Sequence, residues 1–314
     1  MRKIFFDENL TEMVPQVATI GFFDGVHCGH KFLIDRVVRE AHCRKMESSV
    51  ITFDRHPRQV LHSDYQPKLL STFDEKLLLL SKTAIDNAVI LSFCESLANL
   101  SAREFMEQIL RDRLNVRRLI IGYDNKFGHN RTESFEDYVR YGRDLGIEVV
   151  QNKAFVMDNV KVSSSIIRTY IEKGEMEQAN RCLGYPYTIV GKVTTGYQKG
   201  RTLGFPTANL DTTGFCQLIP EPGVYAVKVR LQQSVVEHRA MMNIGTRPTF
   251  DGHYQTLEVH ILNFNEDLYG QLLLVSFVQR IRGEYKFDTP EQLTMQLRED
   301  KKTIEKLFEK ETEE

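Results

Sequence analysis

No stretch of this chain is long and apolar enough to cross a bilayer as a helix. The longest run without Asp, Glu, Lys or Arg is Leu268–Gln279, twelve residues, whereas a span needs about 20. The amino-terminal MRKIFFDENLTEM reaches acidic residues by Asp7 and has no long apolar region, which argues against a signal peptide. An excess of one charge is also missing. Forty-one Lys and Arg against 43 Asp and Glu leave a net charge of -2, too balanced for a dominant nucleic-acid or anionic-membrane surface. The five cysteines, Cys28, Cys43, Cys94, Cys182 and Cys216, are odd in number and far apart, with no C-x-x-C. That spacing argues against a disulfide framework or a Cys zinc site, and for reduced thiols in a cytoplasmic protein. Internal repeats, low-complexity blocks, the P-loop pattern and G-x-G-x-x-G are all absent.

What remains is an ordinary globular balance in 314 residues, enough for roughly two domains. Residues 17–183 alternate short β-type runs with helical stretches. Val17–Phe22, Ser49–Phe53, Ala88–Leu91, Leu119–Gly122 and Glu148–Val150 read as strands. His30–Lys45 and Phe135–Leu145 read as helices. Thr72 with Glu75, and Ser101 with Glu104, form capping boxes ahead of two more. Strand, helix, strand, helix implies a parallel sheet covered on both faces. The character changes near Gly184-Tyr185-Pro186. Short alternating runs follow at Thr188–Val193, Gly223–Leu231, Ala240–Ile244, Leu257–Phe264 and Leu272–Val278, as in an antiparallel barrel or sandwich. Leu293, Leu297, Ile304 and Leu307 then recur at helical spacing from about Pro290 to Lys310. The expected domains are 1–184 and 185–314.

Thr19–His30 reads TIGFFDGVHCGH: a strand runs into a glycine turn, and a helix begins near Gly29. The end of a first parallel strand facing a helix N-terminus is where phosphates bind. Gly21, Gly25 and Gly29 let backbone approach a phosphate, and His27 and His30, three apart, can address one anion. Alone, H-x-x-H reads more readily as a turn with two surface histidines. The full string resembles the GxFDGxHxGH signature of the HxGH nucleotidyltransferases. ITFDRHPR (Ile51–Arg58), GYDNKFGHNR (Gly122–Arg131) and VSSSIIR (Val162–Arg168) follow in order and resemble the TFDPHP, GxDFxFGxxR and SSTxIR strings of one branch. Together they resemble the adenylyltransferase domain of bacterial bifunctional riboflavin kinase/FAD synthetases. Arg55 stands where that family has Pro, and Ser165 where it has Thr; tuned affinity rather than lost activity is expected.

In the second half, Gly196–Leu210 reads GYQKGRTLGFPTANL, a glycine-rich flap with Lys199 and Arg201 suited to a phosphate tail. Thr207 and Asn209 offer hard oxygen donors of the kind Mg²⁺ takes alongside waters and phosphates. In LEVHILNF, Glu258 and His260 share one strand face opposite Leu257, Val259 and Ile261. A carboxylate aimed into a barrel mouth can accept a proton from a hydroxyl. A lone strand Glu, however, reads better as a solvated face. With GVYAVKV, NIGTRPTF, Tyr269-Gly270 and IRGEYKF, these strings resemble the riboflavin kinase domain over residues 187–310.

The resemblance implies a fold: an α/β N-terminal domain with a Rossmann-like parallel sheet of nucleotidyltransferase type, then a C-terminal β-barrel with a terminal helix. It implies two reactions, riboflavin plus ATP to FMN, then FMN plus ATP to FAD and pyrophosphate. Glu258 is the expected general base, with Thr207 and Asn209 on Mg²⁺. His27 and His30 are expected to be catalytic in adenylyl transfer. Gly21, Phe23, Asp24, Gly25, Gly29, His56, Ser163, Ser164 and Arg168, with Gly200 and Arg201 of the flap, are expected around ATP and its phosphates. Asp124 and Asn125 are expected to seat adenosine or flavin, and Arg282 is a weaker flavin-side candidate. A different HxGH transferase, acting on phosphopantetheine or nicotinate mononucleotide, leaves the PTAN and LEVHILNF half unexplained. A non-catalytic flavin-binding regulator has no need of these phosphoryl-transfer groups.

Overall fold

The computed structural model describes residues 1–6, 13–56, 59, 68–195, 203–249 and 252–313. They form two compact units, Met1–Ser164 and Ser165–Glu314, so the break expected after residue 184 lies inside the second unit.

The first unit is built on six parallel strands: β1 (Arg2–Phe5), β2 (Gln16–Ile20), β3 (Glu47–Phe53), β4 (Asn87–Leu91), β5 (Val116–Ile121) and β6 (Glu148–Gln151). Their order is β1-β4-β3-β2-β5-β6. Every residue of β2 and β4 is buried, as strands covered on both faces require. Alternate residues feed two cores. Ala18, Ile20 and Leu119 pack toward Phe105, Met106 and Tyr138. Val17, Val50 and Ile90 pack toward Ile34 and Val37 of α1 (Cys28–Arg44) and Leu77 and Leu80 of α2 (Phe73–Ser81). Both anticipated capping boxes are present. After the second, α3 (Ala102–Glu104) widens into a π-helical turn over Phe105–Arg111, which brings Phe105 and Leu110, five apart, into the core. Strand β1 was not legible in the sequence. It is an exposed edge paired with one neighbour, so it carries no apolar alternation. A small hairpin, β7 (Val156–Met157) with β8 (Val160–Lys161), precedes the VSSSIIR string.

The second unit opens with α4, which runs Ser164–Glu172 from the last residue of the first unit, and α5 (Met176–Leu183). A closed antiparallel barrel follows, from β9 (Thr188–Thr194), β10 (Ala208–Leu210), β11 (Gly223–Leu231), β12 (Glu237–Thr249), β13 (Gly252–Ile261) and β14 (Leu272–Arg282). The order is β10-β13-β12-β11-β14-β9. Of the two antiparallel architectures the sequence allows, the barrel is the one formed. Asn180 of α5 donates from Nδ2 to the carbonyl of Phe277 at 2.8 Å and accepts the Tyr187 N–H at 2.7 Å. Helix α6 (Pro290–Glu313) lays Ile304 and Phe308 against Val224, Ala226 and Met241 on the outside of the barrel. Burying a side chain the size of Phe308 contributes about 1.5–3 kcal/mol.

Candidate active sites

The chain leaves β2 toward β3 on one side, while β5 lies on its other side. That reversal makes a crevice at the carboxyl ends of β2 and β5, where open α/β sheets bind ligands. The TIGFFDGVHCGH string runs along this crevice. Its turn holds Phe23, Gly25 and Val26 at positive φ (55°, 73° and 35°), and left-handed non-glycine residues concentrate at functional loops. A Cβ on Gly29 would come within 3.1 Å of the Val162 carbonyl oxygen, so the VSSSIIR segment passes close to the start of α1 and a larger residue would have to displace one of them slightly. Gly21 packs beneath the Phe23 ring.

His27 caps α1: its Nδ1 accepts the His30 N–H at 3.3 Å. The two imidazoles stack with centroids 3.6 Å apart, so the pair addresses one point at a helix N-terminus. Burial, with smaller contributions from the charges of His27 and Lys76, holds His30 well below the usual histidine range, and it is neutral at pH 7. Its Nδ1 is buried without a hydrogen-bond partner among the described residues, which leaves it available to a group entering the crevice. Asp24 braces the loop: its carboxylate accepts the backbone N–H groups of Leu70 and Ser71 at 3.0–3.2 Å. Gly25 N–H donates to the Ser71 hydroxyl at 3.1 Å.

Other predicted residues of the first unit lie at the same strand ends. His56 packs edge-on to Phe22 at 4.8 Å. The Asn125 amide, beyond β5, donates to the Ile20 carbonyl across the crevice, while Asp124 beside it is exposed. Ser164 donates to the Asp24 carbonyl at 3.3 Å, and Ser163 precedes it; Arg168 follows on α4, within the second unit. Sequence reading missed Lys76. It is 2% exposed, on the inner face of α2. Its ammonium donates to Phe53 O (2.8 Å), Phe22 O (3.2 Å) and Thr52 Oγ1 (3.3 Å). A lysine inside LLLL context, KLLLL, carries no sequence signal of its own.

In the barrel, Asn209 pairs with Glu258, and Glu258 with Asn243. Directly opposed residues share a face, so the three form a row across β10, β13 and β12. Leu257 and Val259 point inward, each 1% exposed. Glu258 therefore stands on the outer wall, which corrects the expectation of a carboxylate aimed into the mouth; strand alternation gives the inward positions to the apolar residues. Asn243 was missed because only the pairing register brings it beside Glu258. His260, on the same face, has Nδ1 2.8 Å from the Pro206 carbonyl, so that nitrogen carries the proton and pins the turn before Thr207. Burial keeps His260 below the usual range. Thr207 lines a cavity of about 400 Å³ with Ala208, Val259, Phe264 and Asn265. Among the described residues no three His, Cys, Asp or Glu gather as a metal cluster. Gly200 and Arg201 lie outside the described residues. Arg282, expected on the flavin side, forks onto the buried Asp300 at 2.8–3.0 Å, and Gln296 donates to the same carboxylate at 2.9 Å.

Two candidate sites, one at the carboxyl ends of a parallel sheet and one on a barrel wall, lie in the two different units. The FAD synthetase family matches residues 10–166, and the riboflavin kinase family matches 183–308. The bifunctional riboflavin kinase/FMN adenylyltransferase of Haemophilus influenzae is 36% identical, covering 92% of this chain and 93% of that protein. That of Escherichia coli K12 is 35% identical, covering 93% and 92%. The chain belongs to the bifunctional riboflavin kinase/FMN adenylyltransferase family. A crystal structure described as a macrolide-efflux protein from Streptococcus pneumoniae superposes with a TM-score of 0.85 at 31% identity, over 96% of this chain and 98% of that one. In the present chain no helix among the described residues is long and apolar enough to cross a membrane.

Proposed function

We propose that the chain makes both flavin cofactors: it phosphorylates riboflavin to FMN, then adenylylates FMN to FAD. Adenylyl transfer is assigned to residues 1–184 and phosphorylation to 185–314. The observation that carries the reading is the presence of a distinct candidate residue set in each unit, the stacked His27–His30 pair in one and the Asn209–Glu258–Asn243 row in the other.

In the first site an FMN phosphate oxygen attacks the α-phosphorus of ATP, the bond to the bridging oxygen breaks, and pyrophosphate leaves. His27 and His30 steady the developing charge at the start of α1. The glycines Gly21, Gly25 and Gly29, with Phe23, bring backbone to the phosphates. Asp24 acts by holding the loop. His56, Ser163, Ser164 and Arg168 complete the phosphate surround, and Asn125 with Asp124 seats adenosine or flavin. In the second site Glu258 takes the proton from the riboflavin 5′-hydroxyl as that oxygen attacks the γ-phosphorus. Mg²⁺ neutralises phosphate charge when bound. The donors suit it: the Thr207 hydroxyl and Asn209 carbonyl are hard oxygens, of which Mg²⁺ takes few from protein and the rest from water and phosphate, and among the described residues no three His, Cys, Asp or Glu gather as a cluster. Gly200 and Arg201 belong to the phosphate flap. Arg282, engaged by Asp300, meets flavin only if it leaves that pair. Free thiols and the small-molecule substrates riboflavin, ATP and FMN suit the cytoplasm, with neither nucleic acid nor membrane as partner.

Chromatography of products from riboflavin, ATP and Mg²⁺ tests the reading. FMN followed by FAD with pyrophosphate release is expected. FMN alone removes the first assignment, and neither product removes both.

A further inference from the structure

We propose that Lys76 is a positioning residue for adenylyl transfer, tying the loop that carries His27 and His30 to the strand end that carries His56. The inference rests on assigning that reaction to the first unit. Phe22 is the residue before the left-handed turn, and Phe53 ends β3, two residues before Arg55 and three before His56. Lys76 donates to the carbonyls of both and to Thr52, whose hydroxyl donates in turn to Phe22 O at 3.1 Å. The three acceptors match the three protons of an ammonium. The result is a closed network across the ends of β2 and β3. The Phe22 ring, which lies against His56, sits with its centroid 4.2 Å from Nζ.

A buried cation whose direct partners among the described residues are all uncharged is an expensive way to fill space. Leu or Met at this position of α2 would pack with Leu77 and Leu80 at no such cost. The charged and titratable groups coupled to it lie on both loops: Asp24 and Asp54 attract it, and His30 feels its charge. Each carboxylate is itself fixed, Asp24 by Leu70 and Ser71, and Asp54 by Ser92 and Phe93. Lys76 thus sits where two braced loops converge, beneath the crevice where phosphates would lie. Joining two polyanions needs the histidines held in register, and a displacement of about 1 Å can cost about 10²-fold in rate. A fixed positive charge below the crevice also favours the anions above it.

The test is steady-state kinetics of the full chain with supplied FMN and ATP, for Lys76→Met and, separately, Thr52→Val. Lys76→Met is expected to lower kcat for FAD formation about 10–100-fold with KM for ATP and FMN within about threefold. FMN formation from riboflavin should stay within about twofold, and the melting temperature should change by only a few degrees. Thr52→Val, isosteric and uncharged, should show the same split at smaller size, and decides the matter if Lys76→Met does not fold. Normal kcat in a folded Lys76→Met, or in Thr52→Val when that is the only folded variant, would overturn the proposal. So would a raised KM with kcat intact, which makes Lys76 a binding group. A wild-type chain that makes no FAD overturns the underlying assignment instead.

Discussion

Glu258 shows how much one residue owes to its neighbours. By itself it is a strand carboxylate on a polar face; set between Asn209 and Asn243 in register, it is a base candidate beside oxygen donors. Glu258→Gln keeps the shape but cannot take a proton, so FMN formation should fall about 10²–10⁴-fold. Adenylylation of supplied FMN should be untouched. His27→Ala or His30→Ala should do the reverse, lowering FAD formation about 10²–10³-fold, as for a lost oxyanion donor, while sparing FMN formation. Product chromatography reads both; loss of both activities in either variant would refute the division of labour. Lys76 makes a separate, pH-resolved prediction. Burial brings its ammonium from 10.5 down to about 8, against the pull of Asp24 and Asp54. Between those values the unfolded chain keeps the proton and the folded chain sheds it, so stability rises with pH across that window. Below about pH 8 both states hold the proton and the penalty is constant. From about pH 7.5 to about pH 10 the stability of wild type should rise relative to Lys76→Met by roughly 2 kcal/mol. Parallel stability curves from urea melts would show that Lys76 is not displaced from its ordinary value. At this scale the histidines were legible, because a dense glycine-rich string surrounds them. Lys76 and Asn243 were not, since the partners of Lys76 lie 23–54 residues away in the chain and Glu258, the partner of Asn243, 15 away.

Elements were legible where they are buried and periodic. Helix Phe135–Leu145 and strand Gly223–Leu231 have the bounds that patterning implies. The edge strand β1 and the three-residue β10 lack enough period to be seen. Helix α6 was recognised from Leu297, Ile304 and Leu307, yet its anchor is the Arg282–Asp300 pair, whose side chains are 12% and 2% exposed. Removing one partner of a buried pair costs about 3–5 kcal/mol. Asp300→Ala should therefore lower the stability of the second unit by that order and loosen α6 from Phe205, Val224 and Met241. The double change Arg282→Met with Asp300→Leu should recover most of the loss, because no charge is then left unpaired. Differential scanning calorimetry distinguishes the two; equal melting of Asp300→Ala and wild type would assign the docking of α6 to Ile304 and Phe308 alone.

For the whole molecule, the position of the division matters. Helices α4 and α5 belong to the second unit, and Asn180 ties α5 to the barrel through two hydrogen bonds. A fragment of residues 165–314 should fold and convert riboflavin to FMN without making FAD. A fragment of 185–314 should be less stable by a few kcal/mol, having lost those bonds at about 1 kcal/mol each and the burial of Met176, Ala179 and Leu183. Equal denaturant midpoints would show that α5 is not part of the folding unit. By itself the sequence determined that there are two units of different class, that the first glycine turn of the first is its candidate phosphate site, and which residue types are the candidates for the chemistry. These follow from local signals: periodicity, caps, glycines and strings of adjacent residues. The tertiary structure decided that Glu258 faces outward, that Asp24 and Arg282 are held by Leu70, Ser71 and Asp300, and that Lys76 joins two loops. Each of these depends on register or on contacts between distant segments, and a pairing chosen by the packing of the whole unit leaves no mark on the local pattern of either partner.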